Sequence, residues 1–372
     1  MITQAPILYA ADCDPQLILE RTVAIIGYGS QGSAHAQNLR DSGVRVIVGA
    51  RNLQSASARG AAEAGFEVLP LAQAAREADL VMLLTPDEAH AATYEALAAE
   101  VDLRGKALAF AHGFAVHFGQ IIPPAGVDVI MIAPKGVGPA VRQMYERGSG
   151  VAGLIAVAQD ATGLARDLAL SYAWAMGHGR VGIIETTFGE ECETDLFSEQ
   201  AIIVGGLVEL LLAGYHTLVD AGYKPESAYF ECVHEAKLIC DQIYERGFAG
   251  MFAKISNTAE YGAQVAGKRI IDEHVRAEMR RVLAEIQDAT FAHRWEAEAR
   301  ADMPNLLARR AEYASDPVEE VGGRLRALFA DAGGNAGSGA DAGTDAHAHA
   351  GSDADVSASA HTGANQKEGA NG

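Results

Sequence analysis

The order strand, glycine turn, helix, strand near the N-terminus constrains this chain more than anything else in it. Residues 23–26 form a short apolar run that leads directly into Gly27-Tyr28-Gly29-Ser30-Gln31-Gly32. Residues 33–40 then read as helix and 44–48 as the next strand. A GxGxxG alone is a weak signal; in this setting it marks a dinucleotide-binding βαβ unit. Gly27 permits the tight turn, Gly29 lets a pyrophosphate approach the backbone, and Gly32 lets helix and strand pack closely. The helix N-terminus presents amides and the positive end of its dipole to the phosphates.

The stretch after the second strand bears on which dinucleotide binds. An NAD site usually places a carboxylate there for the ribose hydroxyls. Here the chain reads Gly49-Ala50-Arg51-Asn52-Leu53-Gln54-Ser55-Ala56-Ser57, with a cation and two hydroxyls and no acid. Arg51, Ser55 and Ser57 suit a 2′-phosphate, which favours NADPH over NADH. The alternative is an exposed loop with an ordinary surface arginine.

Further apolar runs end in polar, glycine-containing loops. Residues 80–84 lead into Thr85-Pro86-Asp87-Glu88, 107–111 into His112-Gly113, and 127–133 into Pro134-Lys135-Gly136. Residues 153–158 and 180–184 read as the last strands. Such runs fit a doubly wound, mostly parallel sheet covered by helices, with ligands gathering at the strands' carboxyl ends. His112 is therefore placed like a functional residue, although a structural hydrogen bond would also explain it. Lys135 has the same placement and could orient an anionic substrate. The expected organisation is a Rossmann-like domain over 1–184, an all-helical domain over 185–330 and a tail over 331–372.

From about Glu190 the alternation gives way to helical stretches. Residues 196–212 are apolar nearly all round, so this helix is expected to be buried. Asp195 and Glu199, at its expected start, are four residues apart and point the same way. Attraction to the positive helix end would account for one such pair, but not for a second with the same spacing, Glu231 and Glu235. The face of that second pair continues into Leu238, Ile239 and Gln242. Carboxylates clustered where hydration is poor need a neutralising cation, and oxygen-only ligands point to Mg²⁺ or Mn²⁺. Two solvated acidic faces are the competing reading. Ser256-Asn257 is a polar break before another helix and could be a simple cap. Trp295 reads as a packing residue.

The net charge of -20 argues against nucleic acid or an anionic membrane as partner, though not against phosphates held by backbone amides. Cys13, Cys192, Cys232 and Cys240 show no CxxC spacing and suit a reducing compartment. The N-terminus lacks a basic segment followed by an apolar one, and apolar stretches such as 201–213 read as too short to cross a bilayer. A cytoplasmic location is expected. The segment 331–372, rich in Gly, Ala, Asp, Ser and His, is expected to be disordered, and its His347, His349 and His361 have no assigned role.

Across residues 8–328 the chain strongly resembles ketol-acid reductoisomerases of the shorter bacterial type. The resemblance rests on Val23 to Gly32, Ala111-His112-Gly113-Phe114, Ala133-Pro134-Lys135-Gly136, Phe188-Gly189-Glu190-Glu191, Asp195-Leu196-Phe197, Tyr229 to Cys232, His234-Glu235 and Ser256 to Gly262, in family order. It implies conversion of 2-acetolactate and 2-aceto-2-hydroxybutyrate to the dihydroxy acids of branched-chain amino-acid biosynthesis, with NADPH and two Mg²⁺ ions. By the same likeness Asp195 bridges the two ions, Glu199 binds one, and Glu231 and Glu235 serve the second metal side. Ser256 holds the 2-hydroxy-3-ketoacid substrate, and His112 and Lys135 are active-site residues. For the chemistry, a carboxylate such as Glu235 or a metal-bound hydroxide could relay the hydroxyl proton. Gly138 corresponds to a nucleotide-loop position, Arg51, Ser55 and Ser57 to the 2′-phosphate grip, and Thr85, Pro86, Asp87 and Glu88 to the adenosine side. The resemblance further implies a knotted helical second domain and a homodimer or larger homo-oligomer in which each active site draws on two chains.

The chain departs from the family pattern at Ser33, Val137, Pro139 and Ser198, and its 51–57 loop is one residue longer. These departures leave open a divergent paralogue serving a specialised pathway. A β-hydroxyacid dehydrogenase would share the two-part layout but need no metal, and an inactive NADP-binding regulator would use the acidic helices only as an interface.

Overall fold

The computed structural model describes residues 5–334, with side-chain surroundings to residue 328. Nine strands form one sheet: β1 (Ile7–Leu8), β2 (Thr22–Ile26), β3 (Arg45–Ala50), β4 (Glu67–Pro70), β5 (Leu80–Leu83), β6 (Ala107–Phe110), β7 (Asp128–Pro134), β8 (Gly153–Gln159) and β9 (Ile183–Glu185). Their order is β1-β9-β8-β7-β6-β5-β2-β3-β4. Neighbours from β4 to β7 run parallel; β8 is antiparallel to β7, and β1 antiparallel to β9. The chain reverses its direction of winding between β2 and β5, and the crevice at that switch is where a doubly wound sheet takes its ligand.

The sheet is covered on both faces. Ile25, Leu80, Met82 and Ile130 pack into one buried cluster, and Ile26, Leu83, Phe110 and Met131 into the other. Burial on both sides explains why these strands read as continuous apolar runs rather than alternating ones. Two strands escaped the sequence reading. β1 has only two residues, and β4 lies at the sheet edge with a half-exposed pattern. The expected strand over 180–184 is shorter at its start: Arg180 closes the 3-10 turn His178–Arg180, and β9 begins at Ile183.

The helical region opens at Phe188–Ser198, capped by Thr187, whose hydroxyl accepts from the Glu190 amide. This start lies nearly two turns earlier than the sequence suggested, so Asp195 sits in mid-helix and the dipole does not explain it. A π-turn at Glu199–Ile203 links this helix to Gly205–Asp220. A second π-turn, Phe230–His234, links Pro225–Tyr229 to Glu235–Phe252. Helices Asn257–Ile270, Glu273–Gln287, Thr290–Arg300, Pro304–Ser315 and Pro317–Gly334 follow. Trp295 packs beside a small core of Phe114, Cys192, Leu196, Ile286 and Ala292.

Three expectations fail here. The apolar helix over 196–212 is not buried: Ile203, Val204 and Leu210 are about half exposed, and Tyr215 is the one buried residue of Gly205–Asp220. The sequence pattern required cover, but no neighbour among the described residues supplies it. Moreover, the continuous helical run Phe188–Asp220 is long and apolar enough to cross a membrane by length and composition; residues 201–213 taken alone understated it. The last helix runs past Asp331, where the tail was expected to begin, and the rest of that tail, with His347, His349 and His361, lies outside the described residues.

Candidate active site

The glycine loop closes β2 and starts helix Ser30–Asp41. Gly27 has φ +102°, and a Cβ there would meet the Leu84–Thr85 backbone at 2.7 Å. Gly29 faces open space, whereas a Cβ on Gly32 would lie 1.9 Å from the Gly27 carbonyl oxygen. The three glycines thus do three different jobs: turn, open approach and close packing. Above them lies a cavity of about 580 Å³ lined by Gly27, Tyr28, Gly29, Ser30 and Gln31, by Arg51, Ser55 and Ser57, and by Thr85 and Pro86. Ser55 caps helix Ala56–Glu63 by accepting from the Ala58 amide, and its hydroxyl lies 3.2 Å from that of Ser57. Arg51 is exposed beside this helix N-terminus.

Three expected dinucleotide residues fall elsewhere. Gly138 is buried, and a Cβ on it would lie 2.1 Å from the Ser30 carbonyl oxygen. Its role is to let helix Gly138–Glu146 pack onto the start of Ser30–Asp41. Asp87 lines a neighbouring cleft, and Glu88 a separate hollow beside Trp295. Both occupy the first turn of helix Asp87–Glu100, which turns them away from the cavity over Thr85.

The neighbouring cleft, about 610 Å³, shares Gln31, Leu84 and Thr85 with the dinucleotide cavity and continues past His112, Lys135, Glu191, Asp195 and Glu199. Here the ends of β6 and β7 meet helix Phe188–Ser198. Glu191 is the hub. It is buried and accepts from the Gly113 amide (2.9 Å), His112 Nδ1 (3.0 Å) and Lys135 Nζ (2.9 Å). Lys135 also donates to Asp195 at 3.1 Å, and His112 Nδ1 lies 3.7 Å from the other Asp195 oxygen. Gly113 is confined as well, since a Cβ would lie 2.2 Å from the Phe188 carbonyl oxygen.

This packing sets the charges. Burial works against a charged His112, but hydrogen bonds to Cys192 and Glu191 and the Glu191 and Asp87 charges outweigh it and hold the imidazole at about 11. Burial likewise opposes a charged Lys135, and the Glu191 and Asp195 carboxylates overcome it and raise the amine. Burial alone would raise Glu191, yet its bonds and charge contacts with His112 and Lys135 lower it. Lost hydration and the Asp195 charge push Glu199 up, so this carboxyl lacks sufficient positive charge nearby.

His112, Glu191 and Asp195 place ligand atoms within 4.8 Å of one another. With His112 cationic and Lys135 bridging the two acids, that inner cluster is already neutralised. The free demand for a cation lies toward Asp195 and Glu199, and an all-oxygen pair suits a hard divalent ion. The chain's own fold does not bring the second acidic pair here. Glu231 and Glu235 are exposed and line neither cavity, contrary to the poorly hydrated setting expected for them. No element among the described residues buries them. Ser256 is the N-cap of Asn257–Ile270, accepting from the Ala259 amide at 3.2 Å, and also stands apart from the cleft. Glu191 was quoted in a motif but given no role. The signal was present, because Glu191, Asp195 and Glu199 continue the four-residue spacing one turn back.

Residues 17–182 match the NADPH-binding domain of acetohydroxy acid isomeroreductase, and residues 188–331 match the ketol-acid reductoisomerase C-terminal domain. The chain belongs to the ketol-acid reductoisomerase family. A solved relative, an NADH-preferring ketol-acid reductoisomerase from an uncultured archean, is 44% identical over 87% of this chain and 99% of that one, with a TM-score of 0.85. A semialdehyde dehydrogenase NAD-binding protein from Cupriavidus necator has 17% identity, covering 70% of this chain and 99% of its own, with a TM-score of 0.52. A pyrroline-5-carboxylate reductase from Coxiella burnetii has 14% identity, covering 72% and 97%, with a TM-score of 0.51. The last two share the fold alone. Membership in the ketol-acid reductoisomerase family makes this chain an oxidoreductase of branched-chain amino-acid biosynthesis with a nicotinamide-dinucleotide domain.

Proposed function

We propose that this enzyme converts 2-acetolactate and 2-aceto-2-hydroxybutyrate to 2,3-dihydroxy-3-methylbutanoate and 2,3-dihydroxy-3-methylpentanoate, using NADPH and two Mg²⁺ ions. The observation that carries the reading is the continuity of the glycine-loop cavity with a cleft that holds two cations against three spaced carboxylates. Asp195 and Glu199 would hold the divalent ions on one side. Glu231, Glu235 and Ser256 are exposed on a surface rich in uncovered apolar residues, which supports their delivery by a second copy of the chain. A homodimer or larger homo-oligomer would then both complete the site and cover helix Phe188–Asp220, making a cytoplasmic enzyme the simplest reading of that helix. We assign residues 1–184 to coenzyme binding and 185–330 to the metal and substrate.

The rearrangement moves an alkyl group from the carbinol carbon to the adjacent carbonyl carbon, after which hydride reduces the new ketone. Bound divalent ions would polarise the acceptor carbonyl and hold the alkoxide and carboxylate together. Lys135, locked by Glu191 and Asp195, presents a fixed positive charge to the anionic substrate. His112 contributes a second cation whose orientation is set by Glu191. Glu235 is the proposed relay for the hydroxyl proton. The relative from the uncultured archean prefers NADH, whereas this chain's 51–57 loop sets an arginine, two hydroxyls and a helix N-terminus around the expected 2′-phosphate. That loop supports NADPH here. The deciding experiment follows NADPH and NADH oxidation with 2-acetolactate, with Mg²⁺ and after chelation, and identifies the product by mass. Metal-dependent dihydroxy acid is the expected result; no turnover by folded protein that still binds NADPH would favour a divergent substrate or a regulator.

A further inference from the structure

One side chain of the glycine loop reaches across to the loop that carries Lys135. Gln31 lines both the dinucleotide cavity and the neighbouring cleft. Its Nε2 donates to the Gly136 carbonyl at 2.9 Å, joining residues 105 positions apart in the chain. A carbonyl only accepts, so the amide nitrogen has to be the atom on that side. The amide oxygen is then left buried with no partner of its own. Buried polar groups are normally paired, so the oxygen gains nothing from this pose and the bond to Gly136 dictates it. The glycine fingerprint asks for glycine at 27, 29 and 32 and leaves position 31 open. It does not explain why an amide of this length stands there.

The stretch from Pro134 to Gly138 joins β7 to helix Gly138–Glu146 and is pinned at both ends. At its start the Lys135 amide donates to the Ala152 carbonyl at 2.8 Å. At its end Gly138 lies so close to Ser30 that a Cβ would stand 2.1 Å from the Ser30 carbonyl oxygen. Between these pins come Gly136, a residue with wide backbone freedom, and Val137, which is 70% exposed. The Gln31 amide supplies the bond in the middle. Lys135 itself is a flexible four-carbon chain. Its Nζ is held by Glu191 at 2.9 Å and Asp195 at 3.1 Å, so the loop backbone has to fix the other end. A shift of roughly 1 Å at that end is enough to spoil a charge placed to meet an anion.

We propose that Gln31 is a positioning residue for Lys135: by holding the Gly136 carbonyl it fixes the loop from which the lysine meets the substrate's carboxylate. The inference rests on the reading of Lys135 as the anchor of the anionic substrate and adds to it a residue of the coenzyme helix. Calorimetric titration of 2-acetolactate into enzyme loaded with Mg²⁺ and saturating NADP⁺, which supplies no hydride, measures substrate binding without reduction. Wild type, Gln31→Met, Lys135→Met and the double variant form a double-mutant cycle. The divalent ions should keep part of the affinity in Lys135→Met, so that all four corners are measurable. Gln31→Met should weaken 2-acetolactate by about 10-fold with Lys135 intact, the scale of one hydrogen bond, and by less than about 2-fold in the Lys135→Met background. Gln31→Asn keeps the amide but is one methylene too short for Gly136, and should lose as much as Gln31→Met. The same loss in both backgrounds would mean that Gln31 does not act through Lys135. Unchanged substrate affinity, or a loss confined to NADP⁺, would leave Gln31 with the coenzyme alone; each of these results overturns the proposal. Wild type that takes up NADP⁺ but no 2-acetolactate would overturn the reading of the cleft itself, and the proposal with it.

Discussion

The sheet region and the helical region are both rich in apolar residues, yet they use them differently. Ile25, Ile26, Leu80, Met82, Leu83 and Phe110 are fully buried between β2, β5, β6 and the flanking helices. In the helical region Ile203, Phe248, Tyr261 and Val265 stand half exposed or more. The first region finishes its core within one chain and with it a nearly complete coenzyme cavity. The second leaves its core open and its carboxylates divided, with Asp195 and Glu199 in the cleft and Glu231 and Glu235 outside it. An apolar pattern states that a face will be covered, but not by what.

If the division of labour follows this contrast, chemistry and coenzyme binding should separate on mutation. Asp195→Asn or Glu199→Gln should cut conversion of 2-acetolactate by about 10³-fold, the scale expected when charge stabilisation at a developing oxyanion is lost. NADPH affinity, which rests on the sheet region, should stay within about 2-fold of wild type by the same argument. Reduction of an already rearranged ketoacid should suffer less than the alkyl shift. Equal loss of both activities would break the split.

The next test concerns what covers the open face. Leu210→Glu puts a charge on a half-exposed position of Gly205–Asp220. If a second copy packs there, burying that charge should dissociate the assembly and lower activity about 100-fold or more at dilute protein concentration. Sedimentation should show the smaller species, and NADPH should still bind. A mutant that keeps both its assembly and its activity would show that this face is not the interface.

Much of the sheet region was legible because its rules are local. Gly27, Gly29 and Gly32 each answer to a turn, an approach or a packing distance that a few neighbouring residues dictate. His112 and Lys135 could be placed because ligands gather at the carboxyl ends of parallel strands. Glu191 was missed because its importance depends on three partners that are distant in sequence, the Gly113 amide, His112 and Lys135. Gly138 entered as a nucleotide-loop position only through the resemblance, because sequence order does not reveal that it packs against Ser30. Chain threading, too, is a property of the whole path, and it entered only through the resemblance.

A smaller effect should sharpen the coenzyme side. Arg51 lines the cavity with Ser55 and Ser57; on the proposed NADPH reading, Arg51→Glu should weaken NADPH by about 10- to 100-fold, the scale of a charge-assisted hydrogen bond. NADH should change by less than about 3-fold on the same reasoning. Fluorescence titration of both coenzymes checks this, and equal loss of the two would mean that the loop does not read the phosphate.

The smallest effect is on stability, and it again divides the two regions. Helix Ser30–Asp41 carries the fully buried His35, bonded to the Tyr172 hydroxyl at 2.9 Å, and the turn His178–Arg180 carries the fully buried His178, bonded to the Val151 carbonyl at 2.8 Å. Burial, with a contribution from nearby His178, lowers His35 to about 3, and burial lowers His178 to about 4. In the unfolded chain both regain an ordinary value near 6.5, so below that pH the unfolded state takes up protons that the folded state refuses. The stability they contribute is complete above pH 6.5 and falls as the pH drops toward 4, by about 1.4 kcal/mol per pH unit for each histidine. The chain's two tryptophans report the regions separately, Trp174 against the sheet core and Trp295 against the small helical core. With each replaced in turn by Phe, the Trp174 signal should change at a higher pH than the Trp295 signal. Coincident transitions would mean that both regions unfold as one cooperative unit, and the contrast would then hold for packing but not for stability.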